Sequence, residues 1–213
     1  MTRILAVADE VDEGMYGDKL ERLQPDLVLS CGDLPFDYLE YIVSRVNVPL
    51  LYVPGNHDPD LRPGDDTFSP LRAERPSKGP EGCVNVDGRI VEAAGLRVAG
   101  LGGSMRYRPG ANQYTQGQMR WRALRIEALA RLVRGRGHGR LDVLLTHAPP
   151  EGFSGNEDDL AHRGFSAFIR LIKNLAPKLH VHGHIHPYGV PQPIHRLGGT
   201  QIVNAVPHRL IEI

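Results

Sequence analysis

Apolar residues fall in short runs that stop abruptly at glycine or at polar residues. Arg3 to Ala8, Asp26 to Ser30 and Pro49 to Val53 are such runs, rich in Leu, Val and Ile, and each reads as a buried strand. Between them, Tyr16 to Leu23 and Asp37 to Arg45 carry helical spacing, with Pro25 and Pro49 just beyond as stop signals. The first third is therefore expected to run strand, helix, strand, helix, strand, which requires parallel pairing through right-handed crossovers.

Asp58 to Gly82 is rich in Pro, Gly and charge and reads as a long surface loop. Cys83 to Val86, Arg89 to Ala93 and Leu96 to Gly100 are expected to form an antiparallel meander, with Asp87-Gly88 as one hairpin turn and Gly95 at the next. Gln116 to Val133 is the strongest helix: Trp121, Leu124, Ala128, Leu129 and Leu132 share one face, and Arg120, Arg122, Arg125 and Arg131 lie mostly off it as a solvated face. Asp142 to Thr146, Lys178 to His182, Gln201 to Ala205 and Arg209 to Ile213 read as strands, and Phe165 to Asn174 as a helix. This order fits two mixed sheets packed face to face with helices outside, and pattern alone leaves other α/β layouts open.

A length of 213 residues fits a single domain spanning 1–213. Basic and acidic residues balance at 25 each, so no global field draws in nucleic acid or an anionic membrane, and anion recognition has to be local. Met1 to Ala8 enters a strand-like run without a basic leader, and no stretch approaches membrane-spanning length, so a cytoplasmic protein is expected. Cys31 and Cys83 match no zinc or redox spacing and are expected as buried small hydrophobes.

The chemistry sits where the apolar runs end. Asp9, Asp33, Asn56 with His57 and Asp58, His147, and His184 with His186 all follow a strand-like run, and strand ends on one sheet edge are where α/β proteins gather ligands. Two carboxylates, an amide oxygen and three imidazoles form a hard-to-borderline donor set, suited to Mn, Fe, Zn or Ni rather than Ca. Gly32-Asp33 alone is ordinary turn chemistry. Gly55-Asn56-His57-Asp58 is far more specific, because amide, imidazole and carboxylate appear together directly after Tyr52-Val53-Pro54. In the alternating run His180 to His186, an extended chain points His184 and His186 the same way, which makes a metal clamp; His180 and His182 belong to the strand and pack or support.

Gly32-Asp33, Gly55-Asn56-His57-Asp58, Thr146-His147 and Gly183-His184-Ile185-His186 resemble, in order, the motifs of the calcineurin-like metallophosphoesterase superfamily. The resemblance implies a four-layer α/β/β/α sandwich and a site for two divalent transition-metal ions (Mn, Fe, Ni or Zn). It implies that Asp33 bridges the ions, that Asn56, His147 and His184 complete one site, and that Asp9 and His186 serve the other. It further implies a phosphohydrolase in which hydroxide formed at the ions attacks phosphorus in line, with His57 contacting the phosphoryl group or protonating the leaving alkoxide.

The first motif departs from the pattern. The superfamily has Asp, any residue, His, and this chain has Asp9-Glu10-Val11. Val11 ligates nothing, so the first site is weak or completed by water, Glu10 or Asp12. Purple acid phosphatases, which lack the same histidine, gain a tyrosine at the position of Phe36; Tyr38 is the nearest substitute. The phosphoprotein phosphatases place an orienting Asp at that position, whereas here Asp37 is one residue away; Asp58 is one alternative, and the sequence leaves the orienting partner of His57 unassigned. At the outer site, Gly102-Gly103-Ser104 with Arg106, and His162 before a helix, are the candidate substrate contacts. The substrate class expected is a small phosphodiester or monoester. The alternatives are a nuclease, and a non-catalytic protein-interaction module of the kind that a retromer subunit builds on this fold.

Overall fold

A computed structural model describes residues 1–60, 79–134, 140–153, 158–188 and 193–213. The opening alternation is present as β1 (Arg3–Val7), a 3-10 turn (Glu13–Tyr16), α1 (Asp18–Leu23), β2 (Leu27–Ser30), α2 (Phe36–Val46) and β3 (Leu50–Tyr52). Asp12 starts the 3-10 turn by accepting from the Gly14 N–H, and both helices stop on a left-handed residue, Gln24 and Asn47, shortly before Pro25 and Pro49. The chain continues through β4 (Val84–Asn85), β5 (Ile90–Ala93), β6 (Leu96–Leu101), β7 (Ser104–Met105), β8 (Gln113–Tyr114), α3 (Gln116–Arg134) and β9 (Val143–Thr146). It closes with α4 (Ser166–Leu175), β10 (Leu179–His182), β11 (His195–Leu197), β12 (Thr200–Asn204) and β13 (His208–Glu212). Among the described residues no helix is long and apolar enough to cross a membrane.

Two mixed sheets result, one in the order β13-β1-β2-β3-β4 and the other β11-β12-β10-β9-β6-β5, while β7 and β8 pair separately. Period-two alternation decides what each strand gives to which layer. Ile4, Ala6, Leu27, Leu29, Leu51, Val98, Val143, Leu145 and Val181 meet between the sheets in one apolar cluster. The intervening Leu5, Val7, Val28 and Leu50 face outward onto Leu20, Tyr38, Leu39 and Ile42 of α1 and α2. On the far side Ala99, Leu144 and Ile202 carry Met119, Ala123, Ile126, Phe168, Leu171 and Ile172 of α3 and α4. The layers are therefore α/β/β/α, as expected.

Three expectations are corrected. The meander does not form: β4 pairs in parallel with β3 in the first sheet, and the chain crosses at Asp87-Gly88 to the second sheet, where β5 and β6 make the hairpin. Period-two alternation looks the same in either sheet, and the burial of Val86 between the sheets decides the matter. The hairpin turn at Ala94-Gly95 is as expected, with both residues at positive φ. Second, α3 buries the opposite face. Met119, Ala123, Ile126 and Ala130 lie inward, while Trp121 is 71% exposed, Leu132 61% and Leu129 40%. Alanines let the helix lie close to the sheet, and on that side Glu127 takes hydrogen bonds from Arg170 Nε (3.2 Å) and Asn174 Nδ2 (2.9 Å) of α4. Third, Cys83 is only partly buried; both cysteines are free thiols. Most of the loop read between Asp58 and Gly82 falls outside the described residues.

Candidate metal centre

β1, β2, β9 and β10 end at one edge of the sandwich, tied together by Asp9 N–H to Gly32 O (3.1 Å) and Gly183 N–H to His147 O (2.9 Å). Asp9, Asp33, His147 and His184 each bring one donor atom there, all within 4.8 Å of one another. Asn56 joins them, its Oδ1 lying 3.0 Å from His147 Nε2. Three of these residues occupy the left-handed region, Asp9 at φ 59°, Asp33 at 57° and His184 at 67°. Such backbone costs about 1–2 kcal/mol per non-glycine residue and is concentrated at functional sites. Here each kink turns a strand-end side chain inward.

Backbone hydrogen bonds fix the carboxylates. His57 N–H donates to Asp33 Oδ1 (2.8 Å), and His184 N–H donates to Asp9 Oδ2 (2.8 Å). Asp58 Oδ2 accepts from Gly55 N–H (2.7 Å) and Asp33 N–H (3.0 Å), which clamps the two motif loops together. Space is reserved for the carboxylates as well. A Cβ on Gly183 would lie 2.4 Å from Asp9 Oδ2.

Burial pushes the Asp9 carboxyl well above the usual range, reinforced by Asp33, Asp58 and Glu10 and opposed by the His184 N–H. Burial likewise raises Asp33, lifts Asp58 to about 6, and lowers His147 and His184 to about 3. Both imidazoles are therefore neutral near pH 7. The Nδ1–H of His147 is assigned to the Cys31 carbonyl (2.7 Å), so its Nε2 lone pair faces two oxygens, Asn56 Oδ1 and Asp33 Oδ2 (3.4 Å). The Nε2–H of His184 is assigned to the Ala161 carbonyl (2.8 Å), leaving Nδ1 as its donor to the cluster. A buried imidazole lone pair that faces two oxygens is an arrangement that a cation completes, so these residues fit a divalent metal.

The other sequence candidates divide. His186 is not in the four-residue cluster: β10 ends at His182, positive φ at His184 breaks the alternation, and His186 Nδ1 lies 2.7 Å from Glu10 Oε1. Asp12 is occupied by Gly14 N–H, Lys19 and His208, so Glu10 stands nearer the gap left by Val11. Tyr38 is buried in the α1–α2 layer with its hydroxyl toward Asp12 O (3.5 Å), away from the metal donors. Arg106 turns its guanidinium to Gln113 O of β8 and Gln118 Oε1 of α3. His162 does reach the site: its ring centroid is 5.3 Å from that of His184, and Asp159 Oδ2 holds its Nδ1 at 2.6 Å. His57 lines an open cavity of about 460 Å³ together with Asp33, Leu34, Pro35, Phe36, Asp58 and Pro59. Sequence reasoning missed the carbonyls of Cys31 and Ala161, which select the imidazole tautomers; a backbone oxygen leaves no mark in a sequence.

Comparison with solved structures returns this architecture. One crystal structure superposes with a TM-score of 0.61 at 17% identity, covering 96% of this chain and 90% of that one. The crystal structure of TT1561 of Thermus thermophilus gives 0.59 at 21%, covering 96% and 88%. GAP50, the anchor in the inner membrane complex of Plasmodium, gives 0.50 at 10%, covering 96% and 71%. No curated protein sequence matches. The family model for calcineurin-like phosphoesterases matches residues 3–188, a span that holds every donor of the cluster, and the chain belongs to that family.

Proposed function

We propose that this chain hydrolyses small phosphodiesters or phosphomonoesters with the help of divalent transition-metal ions. The observation that carries the reading is the convergence of Asp9, Asp33, His147 and His184, with Asn56 beside them, into one set of donors. In this reading Asp33, Asn56, His147 and His184 would hold one ion, and Asp9 and His186, with Asp33 between the two groups, would hold a second. Glu10 substitutes for the absent histidine by fixing His186 through Nδ1, which leaves Nε2 as its donor. Bound ions supply Lewis acidity toward the phosphoryl oxygens and lower the pKa of an attacking water.

The rest belongs to the chain. His57, anchored by its N–H to Asp33, faces the cavity where a leaving alkoxide departs and hands it a proton, a contribution of about a hundredfold or more. His162, steadied by Asp159, offers a second donor on the His184 side.

The test is metal content of the purified protein with hydrolysis of bis-p-nitrophenyl phosphate and p-nitrophenyl phosphate across Mn, Ni, Co, Zn and Mg. Asp33→Asn and His147→Ala are expected to lose bound metal and at least about a hundredfold in rate. Protein that is folded but binds no metal under any condition overturns the reading in favour of a non-catalytic interaction role. Preference for long nucleic acid with a steep salt dependence points instead to a nuclease.

A further inference from the structure

The cavity beside Asp33 and His57 has two unlike ends. Asp33, His57 and Asp58 form its polar end; Leu34, Pro35, Phe36 and Pro59 form an apolar wall. Its volume of about 460 Å³ lies within the roughly 300–1,000 Å³ of small-molecule sites, far more than a phosphoryl group alone requires.

Phe36 is a part of that wall that the apolar clusters of the described residues do not use. It is the first residue of α2, whose N-cap is Pro35 without a side-chain cap. Leu34 and Leu39 belong to the same buried cluster at the spacing of a hydrophobic staple, so the entry of the helix is already pinned. Among the described residues the Phe36 ring belongs to none of the three apolar clusters; it is half-buried and turned into the cavity. The side chains of the described lining include no lysine or arginine, and those of Leu34, Pro35, Phe36 and Pro59 carry no polar atom, so this wall favours a carbon-rich group over a second phosphate or a sugar.

We infer that Phe36, with Leu34, Pro35 and Pro59, binds a planar aromatic group on the phosphate ester, an aryl or nucleobase moiety stacked on the Phe36 ring while the phosphoryl group meets the metal donors. This rests on the phosphoesterase reading and narrows its substrate class.

Phosphonates test it without turnover. Phenylphosphonate and methylphosphonate carry the same phosphonate head group and differ in the substituent, phenyl against methyl, so calorimetric affinities for the metal-loaded protein, compared at a pH where both are dianions, isolate the wall. Wild type is expected to bind phenylphosphonate at least roughly tenfold more tightly, within the range of a base–aromatic stack. Phe36→Ala removes that preference and leaves methylphosphonate affinity unchanged; Phe36→Tyr retains it. Thymidine 5′-monophosphate against ribose 5-phosphate then separates a nucleobase from a simple aryl group. Equal affinities in wild type, or a preference that survives Phe36→Ala, overturn the inference while the metal site stands. If neither phosphonate binds metal-loaded protein, the phosphoesterase reading fails and this one falls with it.

Discussion

Gly55 gives the sharpest handle on the metal centre, because the perturbation is one methyl group and its target is one carboxylate. A Cβ on Gly55 would lie 2.0 Å from Asp33 Oδ1, 2.4 Å from its Cγ and 2.8 Å from its backbone nitrogen. To reach ordinary contact the carboxylate oxygen has to retreat by about 1.4 Å, and an error of about 1 Å in a reacting group costs on the order of a hundredfold in rate. The Asp33 nitrogen, 2.8 Å from the added Cβ, belongs to backbone that Asp58 clamps, so that clamped main chain has to shift together with the side chain. In moving, Asp33 also loses the His57 N–H at 2.8 Å. Gly55→Ala is therefore expected to lower kcat/KM by about a hundredfold and metal affinity by at least about tenfold, with an overpacking cost of roughly 1–3 kcal/mol. Gly199→Ala, where an added Cβ meets nothing within 4 Å, is the control. Metal-to-protein ratio by mass spectrometry, ester hydrolysis and far-UV circular dichroism read the three quantities. Gly55→Ala protein that keeps its full metal complement and hydrolyses within about threefold of wild type refutes the placement of Asp33 at the centre.

Two further predictions concern stability. Arg122 joins α3 to the sheet crossing: both Asp87 oxygens lie 2.5 Å from its Nη2, its Nη1 donates to Gly102 O at 2.9 Å, and its guanidinium lies 4.2 Å from the Tyr114 ring centroid. With both charged side chains about one-fifth exposed, Arg122→Ala is expected to cost roughly 2–3 kcal/mol in urea denaturation, below the cost of breaking a fully buried pair. The Asp87→Ala, Arg122→Ala double mutant is expected to lose less than the sum of the two. His180 sets a pH dependence. Burial holds its pKa well below 6.5, its Nε2 lies 2.8 Å from Thr146 Oγ1, and its Nδ1 has no hydrogen-bond partner among the described residues. The unfolded chain takes up a proton below about pH 6.5 and the folded chain does not, so stability is intact above that pH and falls beneath it, by about 1.4 kcal/mol per pH unit for this residue. Metal-free His180→Gln protein is expected to show an acid slope shallower by that amount; an unchanged slope refutes it.

Much of the centre was legible because its chemistry resides in side-chain identity. Asp, Asn and His at the ends of apolar runs have few structural reasons to recur, and Asp9, Asp33, Asn56, His147 and His184 do converge. The legible part ended where geometry departs from ideal periods. Positive φ at His184 separated it from His186, and the Glu10–His186 contact spans 176 residues with no local signal. In α3 two apolar stripes competed. The larger residues won the pattern, but the smaller ones won the packing, since close approach to a sheet rewards Ala123 and Ala130 over Trp121. The crossing at Asp87-Gly88 was hidden because a strand's alternation does not say which of two sheets it joins.

That outward stripe has a practical corollary. Trp121 is the single tryptophan in the chain and it stands in solvent on the outer line of α3. Its emission in the native protein is expected to be that of a hydrated indole, so the intensity and wavelength changes usually followed on unfolding should be small. Backbone ellipticity reports folding here. The tryptophan instead reports on the exterior of the helix, and a blue shift marks any molecule that comes to cover it.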